Sequence, residues 1–310
     1  MSTDDTTRST PGPHRSGFAC FVGRPNAGKS TLMNAMVGTK IAITSDKPQT
    51  TRRAIRGIVT QESGQLVVVD TPGLHKPRTL LGERLGDIVR STFSDVDVIG
   101  LCIPADERIG PGDRHIVSEL ADLAPRTPVV GIVTKTDKVS PDQVAAQLLA
   151  LSQVRDFADL IPVSATSGFQ VDQLTDVLLA HLPTGPRLYV DGEVTDEPIE
   201  IRVAELVREA ALEGVRDELP HSIAAAVDEI IPREGRDDLV DIYVTLFVER
   251  DSQKPIILGP KGSRLAGIGR RARVGIEPLI GCQVYLAVHV TVAKDWQRDP
   301  KQLRKLGFDR

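Results

Sequence analysis

Short apolar runs alternate with amphipathic stretches between residues 17 and 182. The runs predict strands at Phe18–Val22, Ala54–Val59, Leu66–Val69, Val98–Ile103, Val129–Val133 and Leu160–Val163. The stretches predict helices after Gly28 and at about Leu80–Phe93, Gly112–Leu123, Ser140–Val154 and Val171–His181. Such alternation is typical of an α/β domain, a mostly parallel sheet with helices on both faces. Ligands of these sheets lie at the carboxyl ends of the strands.

The pattern changes after residue 182. Residues 183–198 contain three prolines and several turn formers without a helical period, and they predict a linker. Beyond it we expect a helix at about Ile199–Arg216, a strand at about Leu239–Glu249, a basic helix and a strand at Gln283–Val292. The polar residues 1–16 predict a disordered tail. The expected domains are therefore 17–182 and 199–310.

Composition fits an intracellular protein of about two domains, with 310 residues of which 40% are hydrophobic. Cys20, Cys102 and Cys282 lack the spacing of a disulfide framework or a zinc site, so we expect buried thiols in a reducing compartment. No secretory signal is evident, and no apolar run approaches the roughly 18 residues of a membrane span. A cytoplasmic location is expected.

Charge is distributed unevenly along the chain. Residues 250–310 hold thirteen Lys and Arg against five Asp and Glu, a balance of +8, whereas the whole chain carries −4. The preceding residues therefore carry −12. A basic end on an acidic body favours a polyanionic partner, although a solvated basic face is an equal alternative.

A glycine-rich turn separates the run Phe18–Val22 from the helix after it. This phosphate loop comprises Gly23, Arg24, Pro25, Asn26, Ala27, Gly28, Lys29 and Ser30, and Thr31 follows. Backbone N–H groups of such a turn and the positive helix end surround a phosphate. Lys29 is expected to reach the outer phosphates, and the Ser30 hydroxyl to ligate Mg²⁺. The loop predicts a nucleoside triphosphate site.

A second turn closes the strand Leu66–Val69 and consists of Asp70, Thr71, Pro72 and Gly73, with Leu74 next. The Asp70 carboxylate at the strand tip is expected near the Mg²⁺ ion. The Gly73 N–H would turn toward the γ-phosphate. The segment is thus a candidate sensor of the nucleotide state.

A third turn predicts that the base is guanine. It consists of Thr134, Lys135, Thr136 and Asp137, directly after a strand. A buried Asp137 carboxylate would accept hydrogen bonds from guanine N1 and N2, an edge that adenine lacks. Lys135 would lie along the base plane, and the turn Ser164, Ala165 and Thr166 would supply a backbone N–H to O6. GTP is the expected substrate.

The order of these motifs resembles that of the translation-factor-related GTPases. The first-switch loop, residues 46–52, reads Asp-Lys-Pro-Gln-Thr-Thr-Arg and resembles that of the Era family, ribosome-assembly GTPases with a KH RNA-binding domain. The resemblance implies that Thr51, with Thr50 as the alternative, ligates Mg²⁺ beside Ser30 and Asp70. The catalytic residues would then be Asn26, Lys29, Thr51 and Gly73.

Three positions bear on the mechanism. Leu74 stands where Ras-like enzymes have a water-orienting glutamine, so slow unassisted hydrolysis is expected. Related GTPases with the same loop coordinate K⁺ through the position of Asn26, which implies K⁺-stimulated hydrolysis; a purely bracing Asn26 is the equal alternative. Thr134 replaces the family's asparagine and puts one contact in doubt, to guanine N7 or to the phosphate loop. His75, beside the switch, is read as incidental.

A second glycine-rich turn lies in the basic part of the chain. The GxxG turn, Gly259, Pro260, Lys261 and Gly262, precedes a helix that carries Arg264, Arg270, Arg271 and Arg273. Such a turn lets single-stranded RNA approach closely, and the cations neutralise its phosphates. The order of elements resembles the α+β type II KH domain of the Era family. Core packing is expected for Trp296 and Phe308.

The resemblance implies a GTP-hydrolysing switch that binds the single-stranded 3′ region of small-subunit (16S) ribosomal RNA and assists 30S subunit assembly and maturation. The alternative is a passive RNA-binding protein whose nucleotide site is structural. A nucleotide-dependent kinase is disfavoured by the guanine motif. We expect a monomer, and the resemblance leaves peripheral contact with the inner face of the cell membrane open.

Overall fold

The structure is a computed structural model that describes residues 13–45, 47, 50–72, 79–215 and 219–308. The described strands of the first domain are β1 (Arg15–Val22), β2 (Ile55–Gln61), β3 (Gly64–Asp70), β4 (Val98–Pro104), β5 (Val129–Thr134) and β6 (Asp159–Pro162). Its helices are α1 (Lys29–Val37), α2 (Leu80–Asp95), α3 (Pro111–Leu123), α4 (Pro141–Ser152) and α5 (Val171–Ala180). The sheet order is β2-β3-β1-β4-β5-β6. The pair β2 and β3 is antiparallel and the other pairs are parallel, which confirms the predicted mostly parallel sheet.

Helices cover both faces of this sheet because successive strand residues face opposite sides. Phe21 of β1 packs into one buried cluster together with Leu178 of α5. Its neighbour Val22 packs into a second cluster together with Phe93 of α2. The carboxyl end of β1 is thereby held between two cores, and the phosphate loop follows it.

The first strand begins earlier than predicted. The backbone N–H of Arg15 donates to the Ser63 carbonyl at 3.1 Å, and Arg15 pairs in register with Gly64 of β3. Arg15 and Ser16 therefore belong to the sheet, although both lie within the predicted tail. Their polar side chains gave no strand signal, since backbone pairing decides their conformation. Residues 1–12 of the predicted tail lie outside the described residues.

The second part of the chain contains α6 (Ile199–Leu212), α7 (Leu219–Ser222), β7 (Ala224–Pro232), β8 (Leu239–Val248), α8 (Lys254–Leu258), α9 (Ser263–Ile280), β9 (Gln283–Val292) and α10 (Pro300–Lys305). Its strands form a sheet in the order β7-β8-β9. β7 is antiparallel to β8, and β8 is parallel to β9. Residues of α6 and α9 pack on this sheet in one buried cluster that includes Val207, Ile242 and Ile268. The domain has the predicted α+β organisation.

Several elements of this domain differ from prediction, and the short helices α7 and α10 were not predicted. Sequence reasoning missed β7 because this edge strand has few buried positions and carries Asp228 and Glu229 in its middle. The helix predicted to reach Arg216 ends at Leu212 instead. Gly214 follows with a φ of 70°, a left-handed conformation that glycine adopts without steric cost.

Residues 183–198 contain no helix or strand among the elements of the described fold. They are nevertheless tied to the first sheet. Gln65 accepts hydrogen bonds from the backbone N–H groups of Leu188 and Tyr189 at 2.7 and 2.8 Å. The Ile58 N–H donates to the Val194 carbonyl at 2.9 Å. The linker, residues 183–198, is therefore held against β2 and β3 by hydrogen bonds.

The two domains share a buried apolar cluster. Trp296 is fully buried and its ring lies 6.0 Å from that of Phe308. Both pack with Leu81 and Leu85 of α2. Core packing of Trp296 and Phe308 was therefore a correct prediction, and this core joins the second domain to the helix that follows the Asp70 turn.

The cysteines only partly match expectation. Cys20 and Cys102 are buried, and burial raises the pKa of both thiols. Cys282 is half-buried because it lies in the turn between α9 and β9.

Among the helices described, none has the length and apolar content needed to cross a bilayer.

Candidate nucleotide site and nucleic-acid interface

The phosphate loop adopts a backbone that requires its glycines. At Gly23 a Cβ would lie 2.6 Å from the Cys102 carbonyl oxygen, and Gly28 has a φ of 90°. The buried Lys29 amine donates to the carbonyls of Gly23 and Arg24 at 3.0 and 3.1 Å. Burial lowers the pKa of Lys29, while the nearby Asp70 carboxylate raises it. The amine of Lys29, the first residue of α1, is thus held against the phosphate loop.

Three oxygen ligands predicted for Mg²⁺ converge beside this loop. Asp70 Oδ2 accepts from Ser30 Oγ at 2.6 Å and from Thr51 Oγ1 at 3.1 Å, and the two hydroxyl oxygens lie 3.2 Å apart. Asp70 is fully buried, and its Oδ1 has no hydrogen-bond partner among the described residues. Burial raises the pKa of Asp70, so a cation here would offset an unfavourable buried charge. Hard oxygen ligands with one carboxylate fit Mg²⁺.

The structure favours Thr51 over Thr50 as the switch ligand. The Thr50 hydroxyl donates to the Lys47 carbonyl at 2.7 Å, within its own loop. Thr51 is only 8% exposed and faces Asp70. Asp46, Pro48, Gln49, Gly73, Leu74 and His75 lie outside the described residues.

The guanine motif contacts the phosphate loop directly. Thr134 Oγ1 donates to the Ala27 carbonyl at 2.7 Å, so of the two contacts in doubt, the one to the phosphate loop is present. Asp137 Oδ1 accepts from the buried Ser164 hydroxyl at 2.6 Å, which joins the two turns expected around the base. The expectation of a buried Asp137 is wrong. The residue is exposed in the short turn Thr136–Lys138, which contains no buried residue.

The phosphate loop, the first-switch loop and Lys135 of the guanine motif line a cavity of about 420 Å³, whereas Thr136, Asp137, Ser164 and Ala165 do not line it. Residues predicted for the nucleotide contribute to its lining, namely Pro25, Asn26, Gly28, Lys29, Ser30, Thr31, Thr51 and Lys135. Sequence reasoning missed Ile43, Thr44, Ser45 and Glu107, which also line it. No motif marks these four positions, because only the fold brings them to the phosphate loop. Thr71 and Pro72 are buried below the site, where Thr71 Oγ1 donates to the Phe21 carbonyl.

The last residue of the first-switch loop is inserted into the second domain. Arg52 Nη1 donates to the Ile223 carbonyl at 2.7 Å, and Nη2 donates to Pro220 and His221 at 3.0 and 2.8 Å. The guanidinium also lies 5.6 Å from the centre of the Trp296 ring. Burial lowers the pKa of Arg52 to about 9, so the group remains protonated at neutral pH. In the sequence, Arg52 is recognisable only as the last residue of the first-switch loop, residues 46–52.

Helix α6 holds the same loop from another side. Arg208, 1% exposed and paired with Glu205, donates to the Thr50 carbonyl. Glu209 accepts from the Thr44 backbone N–H at 2.9 Å and pairs with Lys40. Arg208 therefore attaches the loop to the second domain beside Thr51, and Glu209 attaches the segment that precedes the loop.

The GxxG turn has the expected backbone. Gly259 has a φ of 69° and a Cβ there would lie 2.6 Å from Arg264 Cβ, whereas Gly262 has open space. Pro260 and the exposed Lys261 lie between them.

The cations of α9 fall into two groups. Arg264 donates to the Glu213 carbonyl at 2.9 Å, and Arg271 forms an ion pair with the Glu213 side chain at 2.6 Å. Arg273 lies 3.7 Å from Glu277. Arg270 is exposed, like Lys261 of the turn. Lys261, Arg270, Arg271 and Arg273 are all exposed, but Arg271 is paired with Glu213 just after α6 and Arg273 lies near Glu277.

The phosphate loop after β1, the sheet order and the second α+β unit define a GTPase joined to a KH domain. A family model described as 50S ribosome-binding GTPase matches residues 18–135, and a KH domain model matches residues 218–297. The chain belongs to the Era family of GTPases. It is 64% identical over 295 residues to GTPase Era of Mycolicibacterium smegmatis, covering 95% of this chain and 99% of the relative. It is 61% identical to GTPase Era of Streptomyces coelicolor, covering 95% of each.

Solved structures agree with this assignment. Era in complex with MgGDPNP and nucleotides 1506–1542 of 16S ribosomal RNA superposes with a TM-score of 0.90 at 35% identity, covering 96% of this chain and all of the other. Aquifex aeolicus Era bound to GDP and AlF4⁻ gives a TM-score of 0.90 at 34% identity, with the same coverage. The family assignment makes this chain a GTP-hydrolysing enzyme with the predicted fold class.

Proposed function

We propose that this chain is a GTP-operated switch that binds the 3′ region of 16S ribosomal RNA through its KH domain and assists 30S subunit assembly. The RNA partner is supported by the 35% identical Era structure that contains nucleotides 1506–1542 of 16S ribosomal RNA. The exposed Lys261 and Arg270 beside the GxxG turn supply cations for such a strand.

The observation that carries the proposal is the burial of Arg52 in the second domain. Thr51 faces Asp70 while the adjacent Arg52 holds three carbonyls of the KH side. A movement of Thr51 on loss of the γ-phosphate would therefore strain or break the contacts of Arg52. Because a ligand shifts an equilibrium only through different contacts in two states, this junction is where GTP and RNA can influence each other.

Mg²⁺ would be held by Ser30, Thr51 and Asp70, and it would neutralise charge on the phosphates. Lys29 would bind the outer phosphates, and Asp137 would select guanine. With Leu74 in the glutamine position, Asn26 would help to hold a K⁺ ion, which would supply positive charge for hydrolysis. Asn26 has a φ of 62°, so its backbone is already turned within the phosphate loop.

The GTPase domain begins with β1 at Arg15 and extends to residue 182, 183–198 form the linker, and 199–310 form the KH domain. The chain acts as a cytoplasmic monomer. Peripheral contact with acidic lipids would use the +8 balance of residues 250–310.

The test measures GTP hydrolysis by the full chain in K⁺ buffer, with and without a single-stranded RNA that matches the 3′ end of 16S ribosomal RNA. An RNA of the same length and scrambled sequence is the control. We expect slow turnover alone, stimulation by the matched RNA, and lower rates when Na⁺ replaces K⁺. Equal rates with both RNAs would contradict coupling, and absence of turnover under all conditions would favour a passive RNA-binding protein.

A further inference from the structure

Arg24, in the phosphate loop, is attached to helix α3. Its Nε donates to Asp113 Oδ1 at 2.8 Å, and its Nη2 donates to Glu107 Oε2 at 2.9 Å. Asp113 is 1% exposed, whereas Glu107 is 42% exposed. Exposed ion pairs contribute little, but removing the partner of a buried charge is costly. The contact of Arg24 with Asp113 is therefore expected to contribute more to stability than its contact with Glu107.

The same carboxylate also fixes the start of α3. Asp113 Oδ2 accepts from the Gly110 backbone N–H at 2.8 Å, so its two oxygens join the helix start to the phosphate loop. The stem of Arg24 lies over Gly112, where a Cβ would be 3.0 Å from Arg24 Cδ. The absence of a side chain at Gly112 leaves the space that this contact needs.

The backbone of Arg24 contacts Lys29, the residue expected to bind the outer phosphates. Its carbonyl accepts from the Lys29 ammonium at 3.1 Å and from the Ala27 N–H at 3.2 Å. The guanidinium is already paired with Asp113 and Glu107. Its effect on the nucleotide must pass through the loop backbone and Lys29.

We infer that Arg24 and Asp113 form a brace that presets the phosphate loop, so that Arg24 is a positioning residue for the β-phosphate acting through Lys29. This inference rests on the proposed nucleotide site and is independent of the RNA partner. It predicts a loss of affinity shared by GDP and GTP, since both carry the β-phosphate.

The test is a double-mutant cycle on the full chain, with Kd for GDP and for a non-hydrolysable GTP analogue. Arg24→Met keeps the aliphatic part of the side chain and removes its hydrogen-bond donors. Asp113→Asn keeps an oxygen that accepts from the Gly110 N–H, but it places an uncharged NH₂ group opposite Arg24 in place of the second carboxylate oxygen. Each change is expected to weaken both affinities about 10-fold, and the double variant should be no weaker than either single one. The KM for GTP should rise while kcat changes less than about twofold.

Two comparisons separate the brace from general damage. Arg56→Met removes a more exposed ion pair, Arg56 to Asp196 at 2.8 Å, away from the phosphate loop and should leave nucleotide affinity unchanged. Gly112→Ala should weaken binding with both charges intact, whereas Gly269→Ala, with open space around it in α9, should not. The inference would be wrong if the Kd of the double variant rose by the product of the two single increases. It would also be wrong if Arg24→Met left Kd unchanged. If the unsubstituted chain bound no guanine nucleotide, the proposed nucleotide site would fail instead.

Discussion

Arg52 donates from Nη1 to the Ile223 carbonyl at 2.7 Å, across the boundary between the two domains. The residue follows Thr51, whose hydroxyl lies 3.1 Å from Asp70. A nucleotide-sensing loop and the KH domain are therefore joined by neighbouring residues. This junction, the base site and the RNA surface involve different residues and can be changed separately.

Arg52→Met should destabilise the protein. The change removes three hydrogen bonds from the buried guanidinium to carbonyls of the second domain, and we expect a loss of about 2–4 kcal/mol in the free energy of unfolding. Urea unfolding followed by circular dichroism measures it, with Arg56→Met at an exposed ion pair as the control. A variant as stable as the unsubstituted chain would show that the Arg52 contacts contribute nothing net.

Thr134→Val should weaken nucleotide binding. Valine keeps the shape but loses the hydrogen bond to the Ala27 carbonyl, so we expect a 5- to 10-fold higher Kd for GDP, about 1–1.4 kcal/mol. Thr134→Ser retains the hydroxyl and should stay within about twofold of the unsubstituted protein. Equal losses in both variants would assign the effect to packing. Fluorescent GDP titration measures all three proteins.

Asp137→Asn should change base selection. The asparagine amide can donate to the xanthine O2 carbonyl, while guanine presents an N2 donor that it cannot pair with. We expect GTP affinity to fall about 100-fold or more and XTP to bind better than GTP. Competition with fluorescent GDP measures the order, and Asp142→Asn on the exposed start of α4 is the matched control. Unchanged preference for GTP would remove Asp137 from the base site.

Lys261→Ala and Arg270→Ala should weaken RNA binding through charge. Each removes one exposed cation, so the slope of log affinity against log salt should fall by about 1 per variant. Arg273→Ala, whose charge lies near Glu277, should change the slope less. Fluorescence anisotropy with the 3′-end RNA at several salt concentrations measures this, and equal slopes in all variants would place the RNA elsewhere.

Much of the fold could be predicted because strands such as Val98–Pro104 are apolar along their whole length and buried. The phosphate loop and the GxxG turn have local signatures, since glycine is required at defined backbone angles. Strand β7 was missed because an edge strand with Asp228 and Glu229 lacks an apolar signal.

The interdomain contacts could not be predicted. Arg52 and Arg208 look like surface cations in the sequence, and only tertiary packing makes them buried donors to backbone carbonyls. The partnership of Arg24 with Asp113 joins residues 89 positions apart, which no local pattern encodes. Asp137 was wrongly expected to be buried. Its motif indicates which groups can bind guanine, but it carries no information about solvent exposure.

The central claim is that the nucleotide state and RNA binding are linked through Arg52. The most direct measurement is the affinity of the full chain for the 3′-end RNA with a non-hydrolysable GTP analogue and with GDP, compared between the unsubstituted protein and Arg52→Lys. We predict tighter RNA binding with the GTP analogue and a difference of less than about twofold in the variant, with its KH domain still binding RNA. An unsubstituted protein that binds RNA equally in both nucleotide states, or a variant that keeps the full difference, would contradict the account.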